Sequence, residues 1–390
     1  MKALSGIRVL DLSRVLAGPY CTMVLGDLGA EIVKVEQPGI GDDSRAFGPF
    51  IEKESAYFMS LNRGKKSITL NLKDEKDREI FIELVKKSDV LVENYRPGTM
   101  EKLGFGYEEL KKINPQLIYS AISGFGHSGP YSKRPAYDMI VQAMGGLMSI
   151  TGQPNQAPVR VGTSIGDITA GIFGAIGILA AVNARYETGK GQKVDVSMFD
   201  CQLAILENAT ARYLLTGDVP QPMGSRHPSI APFEAYPTKD YYIIISAGND
   251  ALWEKLCGVL GTPEYVTDPR FATNAARVEN VEALYKIIHE NIVTKTTAEW
   301  METLDKAGLP VGPINTIDKV VSDPQIIARD MIVEVEHPVA GKMKIAGNPI
   351  KLSDTPGEVK YPAPTLGQHT DEILKDLLDW SPEQISDYHK

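Results

Sequence analysis

Asp167 is the residue of this chain best placed to do chemistry. It stands in Val161-Gly-Thr-Ser-Ile-Gly-Asp167-Ile-Thr-Ala-Gly-Ile-Phe-Gly-Ala-Ile-Gly177, a lone carboxylate at the start of an apolar helix of small residues. A carboxylate there has two uses. Held ionised by first-turn amides, with glycines leaving room above it, it is a nucleophile. Bonded to those same amides, it is an ordinary helix cap. The number of glycines around it is what a cap alone does not explain.

Other signatures point to less. Gly124-Phe-Gly126-His-Ser-Gly129 follows a predicted strand in the GxGxxG spacing of a dinucleotide turn, but Pro130 and Pro135 interrupt any helix that would have to follow it. It reads as a glycine loop shaped for close approach of another ligand. The six histidines, His127, His227, His289, His337, His369 and His389, show no HxxxH or HExxH spacing, so no metal site is expected. No Walker A sequence or G-x-S-x-G elbow is present. Cys21, Cys201 and Cys257 are scattered and odd in number, as core thiols are.

The elements that must position Asp167 alternate. Ile7–Leu12 is a predicted strand, Gly18-Pro19 opens a helix running to about Leu28, and Glu31–Glu36 is the next strand. Ser67–Leu72, a charged helix over 75–87, Asp89–Asn94, a helical 99–112 and Leu117–Ile122 repeat the pattern, which predicts an α/β fold around a parallel sheet. A glycine-rich helix over 168–186 and a strand ending at Ser197 complete a large Rossmann-like domain over residues 1–200. The texture then changes to short strands at 233–247 and helices near 251–260, 281–292 and 297–307, a smaller α+β domain over 220–324. Residues 325–390 hold short strands and an amphipathic tail helix that Thr370 is expected to cap.

The chain has 390 residues, 43% of them apolar, and a net charge of −9. That balance argues against nucleic acid or an anionic membrane as a bulk electrostatic partner, and leaves local basic pockets open. The apolar run Ala170–Val182 is shorter than the roughly 20 residues of a membrane span and reads as a buried helix. Met1–Gly6 lacks the apolar core of a signal peptide, so a cytoplasmic protein is expected.

Several segments, in order, resemble the family III CoA-transferases: Leu4–Leu12, Ala17-Gly-Pro19, Leu28–Glu36, Gly41–Arg45, Asn62–Ser67, Val92–Gly98, Gly166-Asp167, Thr188–Gln192 and Leu366–Thr370. The resemblance covers nearly the whole chain. It implies that Asp167 is the nucleophile, passing through an aspartyl anhydride and an aspartyl-CoA thioester. It implies coenzyme A as part of the substrate, with no tightly bound cofactor, and an interlocked homodimer whose large domain is built from both chain ends, residues 325–390 returning to it. Carried over position by position, it places CoA along Val15, Leu16, Arg45, Leu70, Lys73, Asn94, Tyr95, Arg96, Lys102 and Phe125. Of these, Arg45, Lys73, Arg96 and Lys102 have the charge to meet phosphates. Tyr57 and Tyr137 match pocket-lining positions.

Within the same fold, 2-methylacyl-CoA racemases carry Gly-His-Asp where this chain reads Ala136-Tyr137-Asp138, and a phenol is a poor neutral-pH acid/base. A catalytically inactive CoA-binding relative is the non-enzymatic alternative, disfavoured by retention of Asp167 and its glycines. The consecutive glycines of formyl-CoA transferase are replaced by Gly224-Ser-Arg-His-Pro-Ser-Ile-Ala-Pro232. This loop resembles that of succinyl-CoA:dicarboxylate transferases, so the expectation is a succinyl-CoA donor and a dicarboxylate acceptor whose far carboxylate meets Arg226 or His227.

Overall fold

The computed structural model describes residues 1–389. Its centre is a six-stranded sheet of β1 (Arg8–Asp11), β2 (Glu31–Glu36), β3 (Lys66–Thr69), β4 (Val90–Glu93), β5 (Ile118–Ser123) and β6 (Lys193–Ser197). All neighbours are parallel, in the order β3-β2-β1-β4-β5-β6. This is the doubly wound order, which reverses between β1 and β4 and opens a crevice beyond the carboxyl ends of those strands.

Side-chain alternation builds a core on each face. Val9, Val90, Val92 and Ile122 point to one side, where α1 (Ala17–Asp27) and the long α5 (Ile165–Thr188) pack. Leu10, Leu91, Tyr119 and Ala121 point to the other, against α2 (Glu75–Lys86) and α3 (Tyr107–Ile113). Burial on both faces is why these strands read as unbroken apolar runs. Cys21 and Cys201 lie in the first core and Cys257 in that of the second unit, all free and buried.

Between β5 and α5 lies α4 (Asp138–Met144), and α6 (Met198–Ile205) follows β6 directly. The glycines of α5 act mainly in packing. A Cβ on Gly171 would come within 2.7 Å of the Ala17 carbonyl, and one on Gly174 within 2.8 Å of Ile122. Only hydrogen lets α1 settle this close. The helix is also longer than its apolar run suggested, 24 residues, with Ala170, Ala175, Ile178, Ala181 and Val182 buried. It is long and apolar enough to cross a membrane, with half of its most apolar window buried inside the protein.

The chain divides into two units, Met1–Met148 with Arg160–Val219 and Pro324–Lys390, and Ser149–Val159 with Pro220–Asp323. The second holds β7 (Phe233–Pro237), β8 (Tyr242–Ser246) and β9 (Val311–Pro313) in an antiparallel sheet. Against it pack α7 (Asp250–Leu260), α8 (Val281–Ile292) and α9 (Thr297–Lys306), around Trp253, Phe271 and Trp300. Residues 325–389 return to the first unit through a β10 (Ile332–His337) and β11 (Gly341–Ala346) hairpin, then α10 (Thr370–Leu378) and α11 (Pro382–Tyr388). Ile373 and Leu374 of α10 enter the core beside α2. Residues 149–159, expected within the first domain, belong to the second unit, where the Gly224 amide bonds the Gly152 carbonyl.

Two local expectations are corrected. The helix foreseen over 99–112 breaks into Thr99–Lys102 and α3, because Gly104 turns the chain at φ +77. Thr370 is the first residue of α10 and caps nothing: His369 holds the N-cap position, and the Thr370 hydroxyl donates back to the Gly367 carbonyl at 2.9 Å.

Candidate active site

Asp167 occupies the third position of α5, after Ser164 at the N-cap, whose side chain makes no capping bond. The cap is supplied from α4. Asp138 Oδ1 accepts the Gly166 amide at 2.8 Å and its Oδ2 accepts Gln142 Nε2 at 2.8 Å, while Gln142 Oε1 takes the Val161 amide at 3.0 Å. Asp138 thereby does the work of the cap, and the Asp167 carboxylate has no hydrogen-bond partner among the described residues. Burial first, then the charge of Asp138, push the Asp167 carboxyl up to about 7. The helix dipole favours the ion but does not offset desolvation here. A desolvated carboxylate without hydrogen bonds is a reactive one.

Asp167 lines a cavity of about 190 Å³ formed by the loops after β1, β4 and β5 and the start of α6, at the sheet's reversal point. Val15, Leu16, Asn94, Tyr95, Arg96 and Tyr137 line it too. Asn94 does more than line it: its side-chain amide donates to the Arg14 carbonyl at 2.7 Å and accepts the Arg14 amide at 2.8 Å. Tyr57 is half-buried, edge-on to Phe47, and burial followed by the Asp167 charge holds its phenol above the usual range. Phe125 is buried against the Tyr131 and Phe199 rings.

Other expected contacts lie elsewhere. Leu70 is a core residue. Lys73 and Lys102 are exposed and do not line the cavity. Arg45 is engaged within the protein: its guanidinium forks onto both Glu36 oxygens at 2.7 Å, reaches the Pro364 carbonyl at 3.2 Å, and stacks 3.6 Å from the Phe58 ring centre. Its charge is matched inside the protein. Arg226 is also paired within the protein, by Glu234 at 3.3 Å and Glu282 at 2.6 Å. His227 lies tilted against the Phe233 ring, centres 5.3 Å apart, and accepts the Ser229 amide.

Sequence reasoning missed Arg14 and Arg134, which also line the cavity. Arg14 pairs with Asp43 at 3.0 Å and lies over Tyr95 at 5.1 Å; Arg134 lies over Tyr131 at 4.7 Å. A basic residue three positions after β1 and another beside the Pro135 turn were the available signals. Among the described residues no cluster of His, Cys, Asp and Glu is arranged to hold a metal.

A doubly wound sheet with a desolvated carboxylate, tyrosine side chains and basic side chains lining a cavity at its switch point has the parts of an enzyme site for an anionic substrate. The chain belongs to CoA-transferase family III, whose family model matches residues 4–370. It is 47% identical to the acetyl-CoA:oxalate CoA-transferase of Acetobacter aceti over 375 residues, covering 95% of each chain. It is 42% identical to the human succinyl-CoA:glutarate CoA-transferase, covering 99% of this chain and 89% of that one. A crystal structure of a CAIB/BAIF family protein from Brucella suis superposes with a TM-score of 0.86 at 41% identity, covering 96% of this chain and 99% of that one. This protein is therefore a CoA-transferase, and its substrate is a CoA thioester.

Proposed function

We propose that this enzyme moves CoA from succinyl-CoA, or another short acyl-CoA, to a dicarboxylic acid through covalent intermediates on Asp167. The observation that carries this reading is the unbonded, desolvated Asp167 carboxylate facing a basic-rimmed cavity. Asp167 attacks the donor thioester carbonyl, the C–S bond breaks, and CoA leaves as thiolate from a mixed anhydride. The thiolate then attacks the aspartyl carbonyl, releasing the donor acid and forming an aspartyl-CoA thioester. The acceptor carboxylate attacks that thioester to give a second anhydride and free thiolate. Thiolate attack on the acceptor's acyl carbon yields the new acyl-CoA and restores the carboxylate. No net proton is consumed, and no tightly bound cofactor is required.

The names of the Acetobacter and human relatives pair CoA donors with oxalate and with glutarate, both dicarboxylates. Arg96 and Arg134 on the cavity rim have no carboxylate partner among the described residues and supply charge for CoA phosphate or a distal acceptor carboxylate. A racemase reading lacks its histidine, since Tyr137 stands there, 76% exposed. The site is further proposed to work in a homodimer, because Ile172, Phe173 and Ile176 of α5 and Met139 and Ile140 of α4 leave an apolar face uncovered.

The test is a chromatographic assay of CoA esters, with succinyl-CoA and acetyl-CoA each offered oxalate, glutarate and butyrate. Dicarboxylate turnover with a hydroxylamine-sensitive adduct on Asp167 is expected. Equal rates for glutarate and butyrate would refute the acceptor class, and turnover without any adduct would refute the covalent route.

A further inference from the structure

The peptide that leads from β1 into the active site is held almost entirely by side chains. The Ser13 amide donates to Asp11 Oδ1 at 2.9 Å, and the Ser13 carbonyl accepts Lys34 Nζ at 2.8 Å. Both polar groups of Arg14's backbone are taken by the Asn94 side chain. The Val15 amide donates to Asp42 Oδ1 at 3.0 Å.

The anchors are buried charges. Asp11, Lys34 and Asp42 are 0%, 0% and 2% exposed. Lys34 Nζ lies 2.9 Å from Asp42 Oδ2, and Lys65 Nζ lies 2.9 Å from Asp11 Oδ2. Asp42 also takes the Ser44 amide and hydroxyl on Oδ1. Buried ions are costly to assemble, and a fold that needed only stability would do as well with packed hydrocarbon.

At the end of this clamp Val15 sits at φ +66. Five other non-glycine residues among those described have positive φ, namely Glu52, Lys53, Asn155, Asp330 and Asp379, and none is β-branched. Valine resists this region because its branched Cβ crowds the backbone, so the conformation persists only where its surroundings over-determine it. Val15 lines the cavity with Asp167, and its successor Leu16 is the N-cap residue of α1, with no capping side chain.

We propose that Asp42 is a positioning residue for the transfer reaction: neutralised by Lys34, its carboxylate holds Val15 in the left-handed conformation and so sets the backbone of Val15 and Leu16 against the cavity that contains Asp167. The inference rests on the reading of that cavity as the transfer site. A residue that merely braced the fold would matter equally whatever stood at position 15. A residue that enforces a strained valine matters much less once glycine, which adopts φ +66 freely, replaces it.

The experiment is a cycle of Asp42→Ala in the parent and in the Val15→Gly background, read by kcat, KM and hydrogen exchange of the peptide spanning residues 10–20. With Val15 present, Asp42→Ala should lower kcat by at least about tenfold, leave the acyl-CoA KM within about threefold, and speed exchange at residues 14–18. In the Val15→Gly background the same substitution should cost no more than about threefold in kcat. Equal costs in the two backgrounds, or unaltered exchange, would overturn the proposal. If Asp42→Ala strands Lys34 and fails to fold, the pair Asp42→Ala/Lys34→Met replaces it, with the same outcomes. Failure of the transfer reading is seen separately, as a parent without CoA transfer or an Asp167→Asn variant that retains it, and the exchange arm still decides whether Asp42 holds Val15.

Discussion

On the proposed covalent route only the ionised form of Asp167 attacks, and burial with the nearby Asp138 charge pushes its carboxyl up to about 7. The kcat/KM for acyl-CoA should therefore rise about tenfold per pH unit up to about 7 and level off above it. Asp138→Asn keeps the Gly166 acceptor but removes the neighbouring charge, so this limb should move to lower pH. Linkage sets the sign for stability. The unfolded chain ionises Asp167 near pH 4, the fold only near 7, so the folded state binds the extra proton and stability falls as pH rises through that window. Asp167→Asn should lose transfer by at least about a thousandfold, yet gain on the order of 2 to 4 kcal/mol at pH 8 and nothing at pH 4, measured by thermal melts. Arg45 is expected to behave in the opposite way. Arg45→Met removes the ion-pair partner of buried Glu36, leaving it the Ser67 hydroxyl and the Asp42 amide, and should cost about 3 kcal/mol in denaturant unfolding, with little change in the acyl-CoA KM, whereas Arg96→Ala should raise that KM.

The contact of α1 with α5 joins fold and site, because α1 begins at the cavity and α5 carries Asp167 in its first turn. Gly171→Ala sets a methyl 2.7 Å from the Ala17 carbonyl. The helices must part, and the substitution should lower stability by about 1–3 kcal/mol and depress kcat, checked by chemical denaturation beside steady-state kinetics. These elements were largely legible beforehand. Strand Glu31–Glu36 and helix 281–292 fall where the sequence puts them, the strand buried on both faces and the helix along the side that carries Leu284, Ile288 and Ile292. The helix over 99–112 failed because φ at Gly104 depends on a turn that periodicity does not register. The Thr370 cap failed because its hydroxyl had a nearer carbonyl to bond.

In the whole molecule, α5 is buried along one side and apolar on the other, with Ile176 55% and Ile172 41% exposed. Water against such a face is unfavourable, and a second copy of the chain would remove it. Sedimentation is expected to give a dimer, and Ile176→Glu to shift it toward monomer with reduced activity. A monomeric parent of full activity would refute the assembly. The sheet order that reverses between β1 and β4 brings Val15, Asn94, Tyr95 and Asp167 to one cavity from positions 15 to 167 of the chain.

Residue type and local period specified the α/β alternation, the apolar strands, the core thiols and Asp167 at a helix start, because each depends on neighbours within a few positions. Pairing between distant charges did not show. Arg45 and Arg226 look like free cations in the chain, and only folding brings Glu36 to the one and Glu234 and Glu282 to the other. From its neighbours in the chain Asp167 reads as a cap before it reads as a nucleophile, until Asp138, contributed by another helix, takes over the capping bond. Charge compensation and desolvation are sums over groups far apart in sequence, so the proposal of Asp167 as the reactive carboxylate rests on the packing of α4 against α5.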